Sequence, residues 1–333
     1  MKAFIIDRYG KADVVRASEM PEPELRADDV LVQIHAASVN PLDLKIRDGA
    51  FKLLLPYRLP LILGNDMAGV VVRVGAGVRR FNVGDEVYAR PDDDRIGTFA
   101  EFITIKEDSL ALKPKTLTME QAAAMPLVAL TAWQALVEKG RLKKGQKVLI
   151  HAGTGGVGTV AIQLAKHLGA TVATTASAAN APMLKQLGAD IVIDYKKDDF
   201  ALRLRDYDLV LDSQGGVTQK KSLSVLKPGG KVIGIAGPPD PDFAKAHGVN
   251  ALVGLVMRML SYGIRSKAKA AGVSYSFLFM RASGEQLRQI ADLIDAGAIR
   301  PVVDRVFPFD ETKEALAYVE TGRSKGKVVI KIR

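Results

Sequence analysis

As far as Leu117, the apolar residues of this chain come in short runs of β character parted by turn signals. Val30 to Ala36, Gly69 to Gly75 and Phe99 to Ile105 are three such runs, and Gly84-Asp85 marks a turn among them. Short strands at this spacing predict a compact, mostly-β module. The pattern changes at Thr118, which with Gln121 has the arrangement of a capping box opening a helix. From there strand and helix patterns alternate. Strands are predicted at Val148 to Ala152, Thr171 to Thr175, Ile191 to Asp194, Leu209 to Asp212 and Lys231 to Ile235. Helices are predicted at Thr159 to Leu168 and around Met183 to Leu187. Such alternation predicts an α/β unit with a doubly wound parallel sheet and helices on both faces. After Ser274 mixed elements return, ending in the apolar run Lys327 to Ile332. A strand this late is expected to rejoin the first module. The reading is therefore a discontinuous catalytic domain, residues 1–123 and 274–333, around a cofactor domain of residues 124–273.

Composition narrows the class. A length of 333 residues suits about two domains, and 48% hydrophobic with 25% charged residues is ordinary for a globular chain. The absence of cysteine excludes disulfides, thiolate zinc sites, iron–sulfur clusters and a cysteine nucleophile. The apolar run after Met1 is too short for a secretory leader. Ala251 to Met259, the most apolar late window, meets Arg258 before it reaches the ~20 residues a membrane span needs. A cytoplasmic location is the expectation. The net charge of +10 favours polyanionic partners, among them a phosphate-rich cofactor. Between Asp242 and Glu285 lie six Lys or Arg residues and no acid, which reads as a solvated basic face or as an anion-attracting rim.

The strongest local motif is Gly153-Thr154-Gly155-Gly156-Val157-Gly158, a G-x-G-x-x-G run directly after one predicted strand and opening a helix. Glycine permits the tight turn and lets backbone approach a pyrophosphate, while the helix amino terminus offers unpaired N–H groups and positive dipole. A site of this kind that prefers NAD places an acid about 20 residues on, at the ribose 2′-hydroxyl. From Thr159 through Ala189 there is none. Ser177 and Asn180 stand there as neutral donors, with Tyr195 and Lys196 one strand further on, and the expected cofactor is NADPH.

The sequence resembles the medium-chain dehydrogenase/reductase superfamily, and within it the zinc-independent quinone and enone reductases. The resemblance runs over essentially the whole chain. It is carried by Val39-Asn40-Pro41 through Gly49, Gly64-Asn65-Asp66-Met67-Ala68-Gly69, Phe81-Asn82-Val83-Gly84-Asp85, Leu130-Thr131-Ala132-Trp133 and Gly322-Arg323-Ser324-Lys325-Gly326-Lys327-Val328. It implies a GroES-like catalytic domain beside the Rossmann cofactor domain. It also implies that zinc-dependent relatives hold their metal with a Cys where Asn40 stands and a His–Glu pair where Asn65-Asp66 stands. The acidic triplet Asp92-Asp93-Asp94 replaces the structural zinc lobe and reads as a solvated turn. His35, His151, His167 and His247 share no ligand-like spacing, so no metal is expected.

What the resemblance implies for chemistry is hydride transfer from NADPH to a quinone or to the C=C bond of an α,β-unsaturated carbonyl. The candidate catalytic residues are Lys45, Asn40 and Thr131. Asn40 would be an amide donor, Lys45 a cation at the nicotinamide and Thr131 a group toward its ribose. Asp43 is expected to orient Lys45 or a backbone amide. Lys45 and Thr131 join Gly155, Gly156, Val157, Ser177, Asn180 and Tyr195 as cofactor-binding candidates. By resemblance, Arg323 reaches the cofactor and Phe277, Leu278 and Phe279 line the nicotinamide side. A homodimer and a small-molecule substrate are expected, with no nucleic acid and no membrane span. Two alternatives stay open: a zinc-independent NADP alcohol dehydrogenase, and a non-catalytic nucleotide- or nucleic-acid-binding relative.

Overall fold

The computed structural model describes residues 1–52, 55–246 and 249–333, so His247 lies outside the described residues. The chain divides into two compact units, Met1–Leu130 with Arg281–Arg333, and Thr131–Met280. Both cuts fall seven residues beyond the expected boundaries, at 130 against 123 and at 280 against 273.

In chain order the first unit opens with strands β1 (Lys2–Ile6), β2 (Val15–Glu19) and β3 (Asp29–Val39), then helix α1 (Pro41–Arg47). Strands β4 (Leu61–Ile62), β5 (Met67–Val74), β6 (Glu86–Ala89), β7 (Phe102–Lys106) and β8 (Leu110–Leu112) follow, then α2 (Met119–Ala123). Helix α3 (Pro126–Trp133) carries the chain through the first cut. The second unit holds β9 (Lys147–Ile150), α4 (Gly156–His167), β10 (Thr171–Ala176), α5 (Ala181–Gln186), β11 (Ile191–Asp194) and α6 (Phe200–Arg203). It continues through β12 (Tyr207–Asp212), α7 (Gly216–Ser222), β13 (Leu226–Gly234), α8 (Pro241–Ala246), α9 (Ala251–Ala270) and β14 (Ser274–Phe277). The first unit then resumes with α10 (Gly284–Asp295), β15 (Val303–Pro308), α11 (Thr312–Glu320) and β16 (Lys327–Lys331).

The long strand β3 organises the first unit. Val30, Val32 and Ile34 pack against Met67, Val71, Val87 and Ile105. Further along, Ala37 and Val39 join a second core with Phe4, Ile46, Phe99, Leu316 and Ile330. Each Val, Leu, Ile, Phe or Met among them contributes about 1.5–3 kcal/mol when fully buried. As the sequence led us to expect, the last strand returns to this unit: β16 pairs antiparallel with β3, Val328 opposite Val39. On the other side of β3 runs β5, Ala37 opposite Met67. These two registers bring Lys327, Asn40 and Asp66, far apart in sequence, to the same end of three adjacent strands. The Thr118 capping box is present, Gln121 N–H donating to Thr118 Oγ1 at 3.3 Å and Thr118 N–H to Gln121 Oε1 at 3.1 Å.

The second unit is a parallel sheet in the order β11-β10-β9-β12-β13-β14. Its inner strands are buried on both faces, as in the continuous apolar run Val148-Leu149-Ile150, each with 0% exposure. The order reverses direction between β9 and β12, and ligands of such sheets bind at the carboxyl ends of the strands beside that point. Strand β14 closes the sheet, with Phe277 opposite Gly234 and Leu278 N–H donating to the Gly234 carbonyl. This pairing holds the segment after β14 in the second unit, which is why the cut falls later than expected. Helix α9 was not anticipated; its apolar residues lie on opposite sides of the helix, so no single stripe stood out.

Candidate active site

In the second unit the glycine run turns sharply from β9 into α4. Ala152 takes φ +52°, a left-handed conformation rare for a residue with a side chain. A Cβ on Gly153 would sit 2.2 Å from Thr174 Oγ1, and one on Gly158 2.4 Å from the Ala152 carbonyl. Glycine at both places is therefore dictated by packing of loop, strand and helix. A Cβ on Gly155 would meet only the Ala152 carbonyl, at 3.4 Å. There the protein itself leaves room, and the missing side chain keeps the backbone open to a ligand. Gly155 is the amino-terminal cap of α4, and no side chain caps the helix. The N–H groups of Gly156 and Val157 thus carry the helix dipole toward an anion. A dinucleotide pyrophosphate fits this donor set.

Beside the loop, the carboxyl ends of β10 and β11 adjoin, Tyr195 N–H donating to the Ala176 carbonyl at 3.2 Å. Asn180 Nδ2 donates to Ser177 Oγ at 2.9 Å, which leaves the Ser177 hydroxyl its own proton to give outward. Tyr195 is 62% exposed beside them. Gly155, Gly156, Val157, Ser177, Asn180 and Tyr195 are therefore all at the same end of three neighbouring strands. Phe277 ends β14 at the far edge of the sheet, and Leu278 and Phe279 follow it. Phe243 packs edge-on against Phe277 at 5.3 Å and Phe279 at 5.9 Å between ring centroids, and Asp240 accepts the Phe277 N–H at 2.8 Å. Thr131 is buried on α3. His151, at the end of β9, bonds Thr175 Oγ1 at 3.2 Å and Ser222 Oγ at 2.9 Å. Burial pushes its pKa down to about 4, so it is neutral near pH 7 and fastens the end of β9 to β10 and α7.

The first unit contributes a buried polar cluster around α1. Asn40 caps the helix and is 1% exposed. Its Nδ2 donates to Asp66 Oδ2 at 2.8 Å and to the Ser38 carbonyl at 3.4 Å. Both amide protons face protein acceptors, so Asn40 positions its neighbours and offers no spare donor. Asp43 accepts the Asn40 backbone N–H and Asn65 Nδ2, each at 2.6 Å, and so orients a backbone amide as expected. Burial pushes Asp43 up to about 7, against the lowering effect of these two hydrogen bonds. Asn65 Oδ1 has no hydrogen-bond partner among the described residues. Lys45 lies on the opposite, exposed side of α1, so the fold does not bring Asn40 and Lys45 together. Arg323 is exposed after α11, its N–H donating to Thr321 Oγ1 at 3.3 Å.

Sequence reasoning passed over Lys327. Its side chain is 6% exposed, and its Nζ donates to Asn40 Oδ1, to the Val39 carbonyl at 3.2 Å and to Asp66 Oδ2 at 3.2 Å. Asp66 Oδ2 also accepts from Ser38 Oγ at 2.9 Å, and Oδ1 accepts the Leu127 N–H at 2.7 Å. The resemblance places a metal in this corner in zinc-dependent relatives. These donors do not fit zinc: two are neutral amides, and the one carboxylate already serves four donors, one of them an ammonium. A lysine cation stands among the groups that correspond to metal ligands. Asp92 and Asp93 of the acidic triplet pair with Lys106, at 3.5 Å, and with Arg90.

Comparison with known proteins follows the same lines. Residues 26–115 match the family described as alcohol dehydrogenase GroES-like domain, and residues 187–330 the one described as zinc-binding dehydrogenase. The chain is 38% identical to the mitochondrial NAD(P)H oxidoreductase RTN4IP1 of Mus musculus, over 100% of this chain and 89% of that protein. It is 36% identical to the chloroplastic NADPH-dependent alkenal/one oxidoreductase of Arabidopsis thaliana, over 99% of this chain and 79% of that one. Among solved structures, the quinone oxidoreductase of Coxiella burnetii superposes with a TM-score of 0.85 at 34% identity, covering 100% of this chain and 99% of that one.

Proposed function

Since the chain belongs to the medium-chain dehydrogenase/reductase superfamily, in its zinc-independent branch, we propose that it is an NADPH-dependent reductase of quinones and of the C=C bond of α,β-unsaturated carbonyls. The observation that carries this reading is the corner at Lys327. A metal polarises a carbonyl or alcohol oxygen directly, whereas here the corresponding groups are engaged with a buried ammonium. The substrates that suit such a site are already good hydride acceptors, whose charge develops on an oxygen that hydrogen bonds can hold.

The residues divide the work as follows in this proposal. The backbone N–H groups of Gly156 and Val157 hold the pyrophosphate of NADPH, and Gly155 gives it room. Ser177, Asn180 and Tyr195 take the 2′-phosphate, where a carboxylate would repel it. Thr131, Phe277, Leu278 and Phe279 shape the nicotinamide side, and Arg323 adds a cation for the cofactor. Bound NADPH supplies the hydride. Lys45 provides an exposed ammonium that positions the cofactor and stabilises negative charge on the substrate oxygen; one such donor is typically worth about 10²–10³ in rate. Asn40 is assigned a positioning role, held by Lys327 and Asp66.

Among the described residues no helix is long and apolar enough to cross a membrane. We propose the cytoplasm as the compartment, to be tested by fractionation, and a homodimer paired along the edge strand β14, to be tested by light scattering. The reaction is tested with a panel of quinones, alkenones and matching saturated ketones, following NADPH absorbance. Turnover of the first two classes and not the third supports the reading; equal rates on saturated ketones would overturn it.

A further inference from the structure

Helix α9 is the longest helix described in the second unit, and it is held on one side only. Met257, Ser261, Ile264 and Ala268 are buried beneath it. On the opposite side Leu252, Leu255, Val256, Met259, Leu260 and Tyr262 are exposed, from 47% for Val256 to 72% for Leu252. At 100° per residue these six side chains fall within one outward arc, a contiguous apolar surface of a kind that soluble proteins rarely leave open. Arg258, Arg265 and Lys269 fall in a row along one margin of that arc and its continuation, and Lys267 follows beyond its carboxyl-terminal end. Arg265 is fixed in this row by its hydrogen bond to Ser261 Oγ at 3.2 Å. An open groove of about 310 Å³, lined by Pro241, Ala244, Ala251, Gly254, Leu255 and Arg258, runs along the start of the helix.

We propose that the outer face of α9 docks on the surface of an anionic lipid bilayer. An apolar face bordered by Lys and Arg, with an aromatic hydroxyl at its margin, is what a helix lying in the headgroup plane requires. The charge of the segment selects this occupant. Between Asp242 and Glu285 the chain has six basic residues and no acid. A second copy placed two-fold on this face would set Arg258 and Arg265 near their own counterparts, with no carboxylate in the segment to answer them. A lipid surface brings the complementary charge and takes an apolar face without matching its shape. The proposal is independent of the reductase activity, since no residue assigned to it lies on α9.

Sedimentation with vesicles tests it, using the full chain with NADPH. Vesicles of phosphatidylcholine alone are compared with vesicles containing phosphatidylglycerol, at low and high salt. Binding is expected to the anionic vesicles only and to fall with salt as exposed charges are screened. The double variant Leu255→Glu, Met259→Glu changes exposed residues, and its NADPH titration shows that it is folded. It is expected to bind the vesicles at least about tenfold more weakly. No binding by the wild-type chain, or equal binding by the variant, would overturn the proposal. So would a dimer that dissociates in the variant, which would assign the face to a second copy, or capture by an acidic polypeptide in preference to vesicles.

Discussion

Replacing Lys327 by Met removes the buried cation and keeps most of the side chain's volume. The structure sets the magnitude. At 6% exposure the ammonium has little water to screen it, and it meets Asn40 Oδ1, the Val39 carbonyl and Asp66. Breaking a buried pair from one side typically costs about 3–5 kcal/mol, because the other charge stays buried. Asp66 retains three other donors, Ser38 Oγ, Asn40 Nδ2 and the Leu127 N–H, which lowers the expected cost to about 3 kcal/mol. Urea unfolding at neutral pH measures it. The second half of the test is the cycle with Asp66→Asn. Once Lys327 is gone, neutralising Asp66 no longer breaks the pair, so the double variant is expected to lose at least about 1 kcal/mol less than the two single losses together. A Lys327→Met chain within about 0.5 kcal/mol of wild type, or two costs that simply add, would refute the reasoning.

Three further outcomes follow from particular residues. Fluorescence titration is expected to give NADPH at least about tenfold tighter binding than NADH, and Ser177→Asp should move that preference toward NADH by repelling the 2′-phosphate; equal affinities in the wild type would contradict the assignment. Lys45→Ala is expected to lower kcat/KM by about 1–3 kcal/mol in transition-state terms, with unfolding unchanged because the side chain is exposed. Full activity would return Lys45 to the status of a surface residue. Asp43 is held at about 7, against an ordinary 3.8. Between those values the unfolded chain ionises while the folded chain keeps its proton, so this group's contribution to stability falls as pH rises from about 4 to about 7 and is level above. Wild type compared with Asp43→Asn by urea unfolding across that range should show the difference shrinking as pH rises, and a constant difference would count against it.

Much of the fold was legible because it is local. The predicted strand at Ile191 to Asp194 is found at those residues, and the alternation from Val148 onward becomes the parallel sheet. The glycine run was legible for a sharper reason: of the glycines at its three fixed positions, Gly153 and Gly158 have no room for a Cβ. Ala152 was misread as strand, since nothing in the residue announces φ +52°. The corner around Lys327 was hidden because its parts are distant, Lys327 lying 287 residues from Asn40 and 261 from Asp66. Only the registers of β16 and β5 on β3 bring them together. For the same reason Asn40 read as a free donor: its acceptor Asp66 is 26 residues away, just before strand β5. Lys327 itself looked like one more cation in a Gly-Lys-Val-Val strand, and its neighbour Gly326 was the available clue. At φ +85°, with the Val302 carbonyl 2.1 Å from where a Cβ would stand, that position admits only glycine, and Lys327 follows it directly into the buried strand β16.

The central claim is that hydride reaches the carbon–carbon double bond or the quinone ring and not a carbonyl carbon. NADPH carrying deuterium at the transferred position, incubated with the enzyme and an alkenone, tests it through the NMR spectrum of the product. The expected result is a saturated ketone with deuterium on the β-carbon. An allylic alcohol with deuterium on the carbonyl carbon would contradict the account.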